Sequence, residues 1–436
     1  MTKKYLSLSM LDLKENESLL RNKNLFSHCL HFTPPSFGGW GIVRVGMLVP
    51  GAVMLFVAPP ACGRHGAIAG IQLGFKHRLY YFYVDEVDLV IGKHMELVEE
   101  AVEEILGDES QRTEALIICI SCVDYLLGSD FDSLVKELED KYGIPVRLAY
   151  MNPIALEGKT PPQHNIQKTI YSFVPPSETK DKGINVIGNF AAIQKNSEIY
   201  ELLEKAGFEG PRHISDYERL ESLKEMGRSA YNLLIRPEGK LAGKYMQEHL
   251  GIPFCFLPVS YSLFSIDKNY NAMEEFLGVA LDRAPFRQQA FQAIEDAKVK
   301  LGSLKIAVSS TANAMPFEIS RALTEFGFQV TTVFCDEIID ADLEHLAWLQ
   351  EHSPDIKVFT NIHPGMADFK NEGYEVDMAI GFTAGYYLNC SKTVPLTLDE
   401  QPYGYRAISY LLNCMIQAWE KPQDLKTIIS EAAIVV

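Results

Sequence analysis

Three cysteines occupy segments whose composition frees the backbone to wrap around something. Cys29 lies in HCLHFTPPSFGG (residues 28–39), between two histidines and ahead of two prolines and two glycines, which suits neither a helix nor a central strand. Cys62 lies in APPACGRHG, and Cys122 follows the apolar run ALIICIS. A thiol so placed is a ligand, a nucleophile or a packing residue. Thiolates at three loop positions suit a soft metal, above all an iron-sulfur cluster, whose irons prefer sulfur ligands. The competing reading is a small buried hydrophobe, the usual fate of free cysteine.

The remaining chemistry is sparser. Cys119 and Cys122, in CISC, have the spacing of a redox pair, but such a pair opens a helix whereas Cys119 falls inside a strand-like run. Cys255, Cys335, Cys390 and Cys414 fall in apolar or amphipathic surroundings and read as core. His164, in KTPPQHNIQKTIYSF, precedes a helical pattern and is either a proton donor with a near-neutral pKa or a helix-start histidine. The sequence has no GxxxxGK(S/T) phosphate loop, no HExxH zinc pair and no GxSxG nucleophile elbow.

The elements that must position these residues follow one grammar. A helical pattern, a glycine and a short β-branched run recur in LVKELEDKYGIPVRLAY, IYELLEKAGFEGPRHIS, KYMQEHLGIPFCFLP and ISRALTEFGFQVTTVFC. Gly143, Gly207, Gly251 and Gly327 fall where a left-handed helix cap is wanted. The strands before these helices, ALIICIS, INVIGNF, YNLLIR and LKIAVSS, are continuous apolar runs, as parallel strands covered on both faces require. Several doubly wound α/β domains are expected, with boundaries near residues 174–183 and 296–303. In such sheets functional groups gather at the carboxyl edge. That places Cys119 inside its strand and Cys122 in the loop just beyond it.

Composition sets the outer limits. The 436 residues carry a formal charge of -17, so nucleic acid and membrane surfaces are not expected partners. No secretory signal is read at the N-terminus. The uncharged stretch from Val45 to Gly63 is broken by Pro50, Pro59 and Pro60, which points to a buried strand and not a membrane span. Eight cysteines at unrelated spacings imply thiols in a reducing, cytoplasmic setting.

Four stretches together resemble the nitrogenase component 1 superfamily: the MoFe-protein α and β subunits, the cofactor-assembly scaffold pair, the light-independent protochlorophyllide and chlorophyllide reductases and the F430-biosynthesis reductase. GGWGIVRVGMLVPGAVMLFVAPPACGRHG is similar to the family's first cysteine loop running into its hGPxxC strand and second cysteine. YYFYVDEVDLVIGKHMELVEEAVEEI resembles the segment with the ExDxVxGG pattern. ALIICISCVDYLLGSDFDSLVKELEDKYGIPV resembles the third-cysteine segment, and KGINVIGNFAAIQKNSEIYELLEKAGF the start of the second domain.

The resemblance implies three Rossmann-like doubly wound domains with parallel sheets around a central cleft, at residues 1–178, 179–300 and 301–436. It implies that Cys29, Cys62 and Cys122 hold a 4Fe-4S or P-cluster-like 8Fe-7S cluster at a subunit interface. The partner would be a β-like subunit or a second copy, in an α2β2 or homodimeric assembly. A separate ATP-dependent Fe-protein reductase would supply electrons, and a second metallocofactor or an organic substrate would occupy the cleft. His164, Asp124 and Tyr403 are the expected proton donors.

Departures from the family pattern shape this expectation. NLLIRPEGKLAGKYMQEHLGIP has no Cys or His where the MoFe α subunit anchors its cofactor, and EQPYGYRAI has Tyr403 at about the position of the cofactor histidine. SSTANAMPF replaces a glycine- and arginine-rich loop. These differences argue against dinitrogen reduction on a FeMo-type cluster and leave three expectations: a nitrogenase-like reductase of another substrate, a scaffold for cofactor assembly, or a binding protein that keeps the fold without the cluster.

Overall fold

The computed structural model describes residues 7–15, 30–33, 41–108, 112–151 and 162–425. In chain order its strands are β1 (Ser7–Ser9), β2 (Ala52–Ala58), β3 (Leu79–Tyr83), β4 (Ala115–Ile120), β5 (Val146–Tyr150), β6 (Gly183–Ile187), β7 (Glu209–Arg212), β8 (Tyr231–Leu234), β9 (Phe254–Phe256), β10 (Lys305–Ser309), β11 (Gln329–Phe334), β12 (Lys357–Phe359), β13 (Met378–Ile380) and β14 (Thr393–Val394). They form three sheets. Two are four-stranded and fully parallel, in the orders β3-β2-β4-β5 and β7-β6-β8-β9. The third runs β1-β12-β11-β10-β13-β14, parallel except for the antiparallel edge strand β1.

The apolar runs of the sequence are therefore parallel strands covered on both faces. All seven residues of β2 are buried, and its alternate side chains enter two different cores. Val53, Leu55 and Val57 pack with Val98, Val102, Phe131 and Leu134. Met54, Phe56 and Ala58 pack on the other face with Ile42, Val45, Ile166 and Ile170. Each such aliphatic side chain contributes about 1.5–3 kcal/mol by leaving water, so the period-2 partition fixes the register of β2 against both of its helical layers.

The chain divides into two compact units. One comprises residues 38–192 and 207–257 and contains both four-stranded sheets; the other comprises 1–37, 193–206 and 258–436 and contains the six-stranded sheet. In the second of these, helix Ala284–Leu301 packs along helix Tyr405–Glu420. Among the described residues no helix is long and apolar enough to cross a membrane.

The helix ends obey the capping chemistry read from the sequence. Gly143, Gly207, Gly251 and Gly327 have φ of 67°, 83°, 66° and 90°, the left-handed region where a side chain costs about 1–2 kcal/mol. A different demand falls on Gly239, just after β8. A Cβ there would lie 2.5 Å from the Gly188 Cα and 2.5 Å from Leu234 Cδ1, whereas one on Gly251 would meet nothing within 4 Å. Gly251→Ala should therefore cost only the backbone strain, about 1 kcal/mol, and Gly239→Ala about 3 kcal/mol, because backbone must move. Denaturant unfolding of the two variants checks the order, and a Gly239→Ala protein as stable as Gly251→Ala would contradict it.

Candidate functional site

β2 and β4 are neighbours in their sheet, in register with Val57 opposite Ile120. The chain leaves β2 towards β3 on one side, whereas β4 is followed by β5 on the other. Connections that depart in opposite directions leave an opening at the carboxyl edge between the two strands. Cys62 follows β2 by four residues and Cys122 follows β4 by two. The topology thus delivers two thiols, sixty positions apart in the chain, to one edge.

Neither cysteine is on a loop. Pro60 opens helix Pro60–Gln72, a position that suits proline because its missing N–H is not needed there, and Cys62 falls in the first turn. Gly63 lets this helix close on β3, since a Cβ there would meet Tyr81 and Tyr83 at 3.0 Å each. Cys122 is the first residue of helix Cys122–Leu127. Ser121 caps that helix, its hydroxyl accepting from the Val123 amide at 3.3 Å. The sequence places both cysteines in loops, Cys62 because Pro59 and Pro60 precede it and Cys122 because it lies just beyond its strand; the structure places both on helix first turns.

Both thiols are half-buried. Burial, and then the charge of Cys122, push the Cys62 thiol above its ordinary pKa, so the two sulfurs sense each other. Cys119 is different: it is fully buried in β4 and burial drives its thiol far up, which removes CISC as a redox pair. No described cysteine is in a disulfide. Cys29, the third expected ligand, lies outside the described residues. Among the described residues no group of three or more His, Cys, Asp or Glu side chains converges. Two thiols delivered to one sheet edge are nonetheless a donor pair that a soft cation would favour. The same edge of the unit carries Val87, Val90, Ile91, Leu126 and Leu127, each between 55% and 85% exposed.

Asp124, one of the expected proton donors, is turned inwards. Its carboxylate accepts from the Ser121 hydroxyl at 3.4 Å and faces His94 Nε2 at 3.4 Å. Burial raises its pKa, with His94 and Ser121 opposing. His94 carried no signal in the sequence beyond a histidine two residues after a glycine.

His164 occupies the first turn of helix Pro162–Tyr171, in the same unit. Burial lowers its pKa; Glu238 opposes that shift and Lys240 adds to it. Around it the ends of β6 and β8 supply a second polar cluster. Gln167 and Asn189 are buried, and Gln167 Oε1 and Asn189 Oδ1 have no hydrogen-bond partner. Arg236, in the stretch that lacks a cysteine or histidine, stands 3.5 Å from Glu238. Tyr403 belongs to the other unit and is buried, its carbonyl accepting from Ser197 Oγ at 2.9 Å. Gly404 follows with φ of 72°, and the buried Glu198 carboxylate takes up the amides of Tyr405 and Arg406 and the Tyr270 hydroxyl.

The nitrogenase component 1 type oxidoreductase profile matches residues 39–420. The chain belongs to that family. It is 23% identical over 366 residues to the nitrogenase iron-iron protein beta chain of Rhodobacter capsulatus, covering 75% of this chain and 77% of that one. It is 21% identical over 282 residues to the nitrogenase iron-molybdenum cofactor biosynthesis protein NifE of Rhizobium meliloti, covering 60% and 58%. The structure of nitrogenase Cp1 at pH 6.5 superposes with a TM-score of 0.70 at 18% identity, covering 95% of this chain and 98% of that one. At that identity the superposition establishes the nitrogenase component 1 fold, a mixed α/β architecture with several parallel sheets.

The electrostatic coupling of the two thiols has a measurable consequence. Replacing Cys122 by serine removes the neighbouring negative charge, so the Cys62 thiolate should form at lower pH. The pH midpoint of Cys62 alkylation in metal-free protein, followed by peptide mass spectrometry, should fall in Cys122→Ser. An unchanged midpoint would mean that the two sulfurs do not face each other.

Proposed function

We propose that this chain is the iron-sulfur subunit of a nitrogenase-like reductase. Cys62 and Cys122, joined by Cys29, would hold a 4Fe-4S or P-cluster-like 8Fe-7S cluster at an interface with a second subunit. The observation that carries the reading is the delivery of two thiols to the β2/β4 edge by a family fold. Thiolate ligation of iron supplies one-electron transfer when the cluster is bound. Two or three thiolates from one chain leave the remaining coordination to a partner, a β-like subunit in an α2β2 assembly or a second copy in a homodimer. The exposed apolar side chains on the same edge are what such a partner would cover.

The absence of a phosphate loop from this sequence fits a division of labour in which a separate ATP-dependent Fe-protein-type reductase delivers electrons. The half-buried His164 is the proposed proton donor to a substrate, beside the unpartnered acceptors of Gln167 and Asn189, which orient a polar molecule through its own donors. Asp124 and Tyr403 are donors of lower access, each buried in contacts of its own. Three Rossmann-like domains at residues 1–178, 179–300 and 301–436 are part of the proposal, and each of these ranges contains the parallel strands of one sheet. The setting is cytoplasmic, without nucleic-acid or membrane partners.

A second reading is a scaffold on which a complex metal cofactor is assembled and released. The similarity to NifE and the lack of a cysteine or histidine in NLLIRPEGKLAGKYMQEHLGIP favour it. A reductase turns over its substrate when supplied with ATP and the Fe-protein; a scaffold transfers a bound cluster to an apo-enzyme.

Iron and acid-labile sulfide in anaerobically purified protein test the shared premise. Cys62→Ala should lose the thiolate-to-iron absorption near roughly 400 nm and most of its iron, and Cys414→Ala should retain both. Equal spectra of the two variants would reject the assignment.

A further inference from the structure

Helix Cys122–Leu127 has six residues, too few to hold itself together without tertiary support. Ser121 supports its start through the Val123 amide and the Asp124 carboxylate. Beyond its end, Gly128 takes a φ of 67° and the Ser129 amide returns to the Asp124 carbonyl at 3.2 Å. One atom from outside the segment meets both parts. His94 Nε2 lies 3.4 Å from Asp124 Oδ1 and 3.1 Å from Ser129 Oγ.

His94 is well placed to act as an anchor. It opens helix His94–Gly107, whose Val98, Val102 and Ile105 are buried in the core against β2 and β4. The His94 and Asp124 side chains are 5% and 1% exposed. Nδ1 is buried without a partner, and Asp124 Oδ1 makes no hydrogen bond within the protein, so its contact with Nε2 is electrostatic. A proton on Nδ1 would be a buried donor without an acceptor, costing about 1–3 kcal/mol. The tautomer protonated on Nε2 avoids that penalty and directs its N–H at the Ser129 hydroxyl, with the Asp124 carboxylate alongside.

We propose that His94 is a positioning residue for Cys122. Its Nε2, hydrogen-bonded to Ser129 and facing the Asp124 carboxylate, fixes the short helix against helix His94–Gly107 and thereby sets the direction and accessibility of the Cys122 thiol. The link to iron rests on the ligand role proposed above for Cys122, but the positioning itself does not need metal.

Site-resolved alkylation of the metal-free full chain with iodoacetamide, read by peptide mass spectrometry, is the test. In His94→Ala the Cys122 rate should rise about tenfold, the local opening expected on losing the buried hydrogen bond to Ser129 and the contact with Asp124. Cys62, Cys255 and Cys414 should keep their rates, and Cys119 should stay protected. His94→Gln, whose side-chain amide can present an N–H at similar reach, should restore the slow Cys122 rate. An unchanged Cys122 rate in His94→Ala would overturn the proposal, as would a parallel rise at every cysteine including Cys119, which reports general loosening. In iron-loaded protein the same alanine variant should show an altered electron paramagnetic resonance signature that the glutamine variant recovers. A failed alkylation result leaves the iron assignment standing, and a Cys62→Ala protein that keeps its iron leaves the alkylation result standing.

Discussion

The structure depends on a constraint of connectivity. Parallel strands need crossovers, and crossovers are right-handed, so once the first strand of a sheet has its second strand on one side and a later one on the other, the backbone leaves an opening between them. This happens three times, at β2/β4, β6/β8 and β10/β13. The three openings are furnished differently. The first receives thiols. The second receives amides, His164 and the Arg236–Glu238 pair. The third is closed by the protein's own hydroxyls: Ser309 and Thr311 bond each other at 2.8 Å, and a Cβ on Gly381 would strike Ser309 Oγ at 2.3 Å.

Holding those edges in place falls to buried acids as much as to apolar packing. Glu198 takes up the first amides of helix Tyr405–Glu420, and Glu318 accepts from the Tyr261 and Ser262 amides at 2.9 Å and 2.8 Å. Burial lifts Glu318 to about 7, against the pull of those amides and of the partial positive charge at a helix start. Each acid belongs to one helix and caps another distant in sequence. Asp124 also faces a side chain distant in sequence, His94, but its own helix keeps a local cap in Ser121. For Glu198 and Glu318 the inward carboxylate substitutes for a local cap, so loss of either acid loosens an element it does not belong to.

Much of this was legible in the sequence, and for local reasons. Gly143, Gly207, Gly251 and Gly327 end helices because only a left-handed residue turns the chain into the next strand. ALIICIS, INVIGNF, YNLLIR and LKIAVSS are uninterrupted because both faces of their sheets are covered. The carboxyl-edge rule then placed Cys122 correctly in space while its secondary structure was misread, since a six-residue helix leaves too short a pattern to detect. Pro60 misled for the opposite reason: the same ring that breaks a helix interior starts one. β1 was not read at all, because three residues pairing with β12 some 350 positions away leave no local trace. His94 stayed hidden likewise, its partners being set by packing across the sheet edge.

The helical placement of the cysteines changes the chemistry available to them. A thiol on a loop finds its position by induced order, and the separation between two such sulfurs is set by whatever binds. Here both sulfurs stand on first turns whose origins are fixed by β2 and β4, and adjacent parallel strands hold those origins at a constant spacing. Gly63 lets one helix sit tightly on Tyr81 and Tyr83, and Ser121, Asp124 and His94 hold the other. The separation is thus set before any ligand arrives, and Cys122 helps to raise the pKa of the Cys62 thiol. A site prepared in this way favours cations that accept two thiolates at the spacing offered, because little ordering remains to be done on binding.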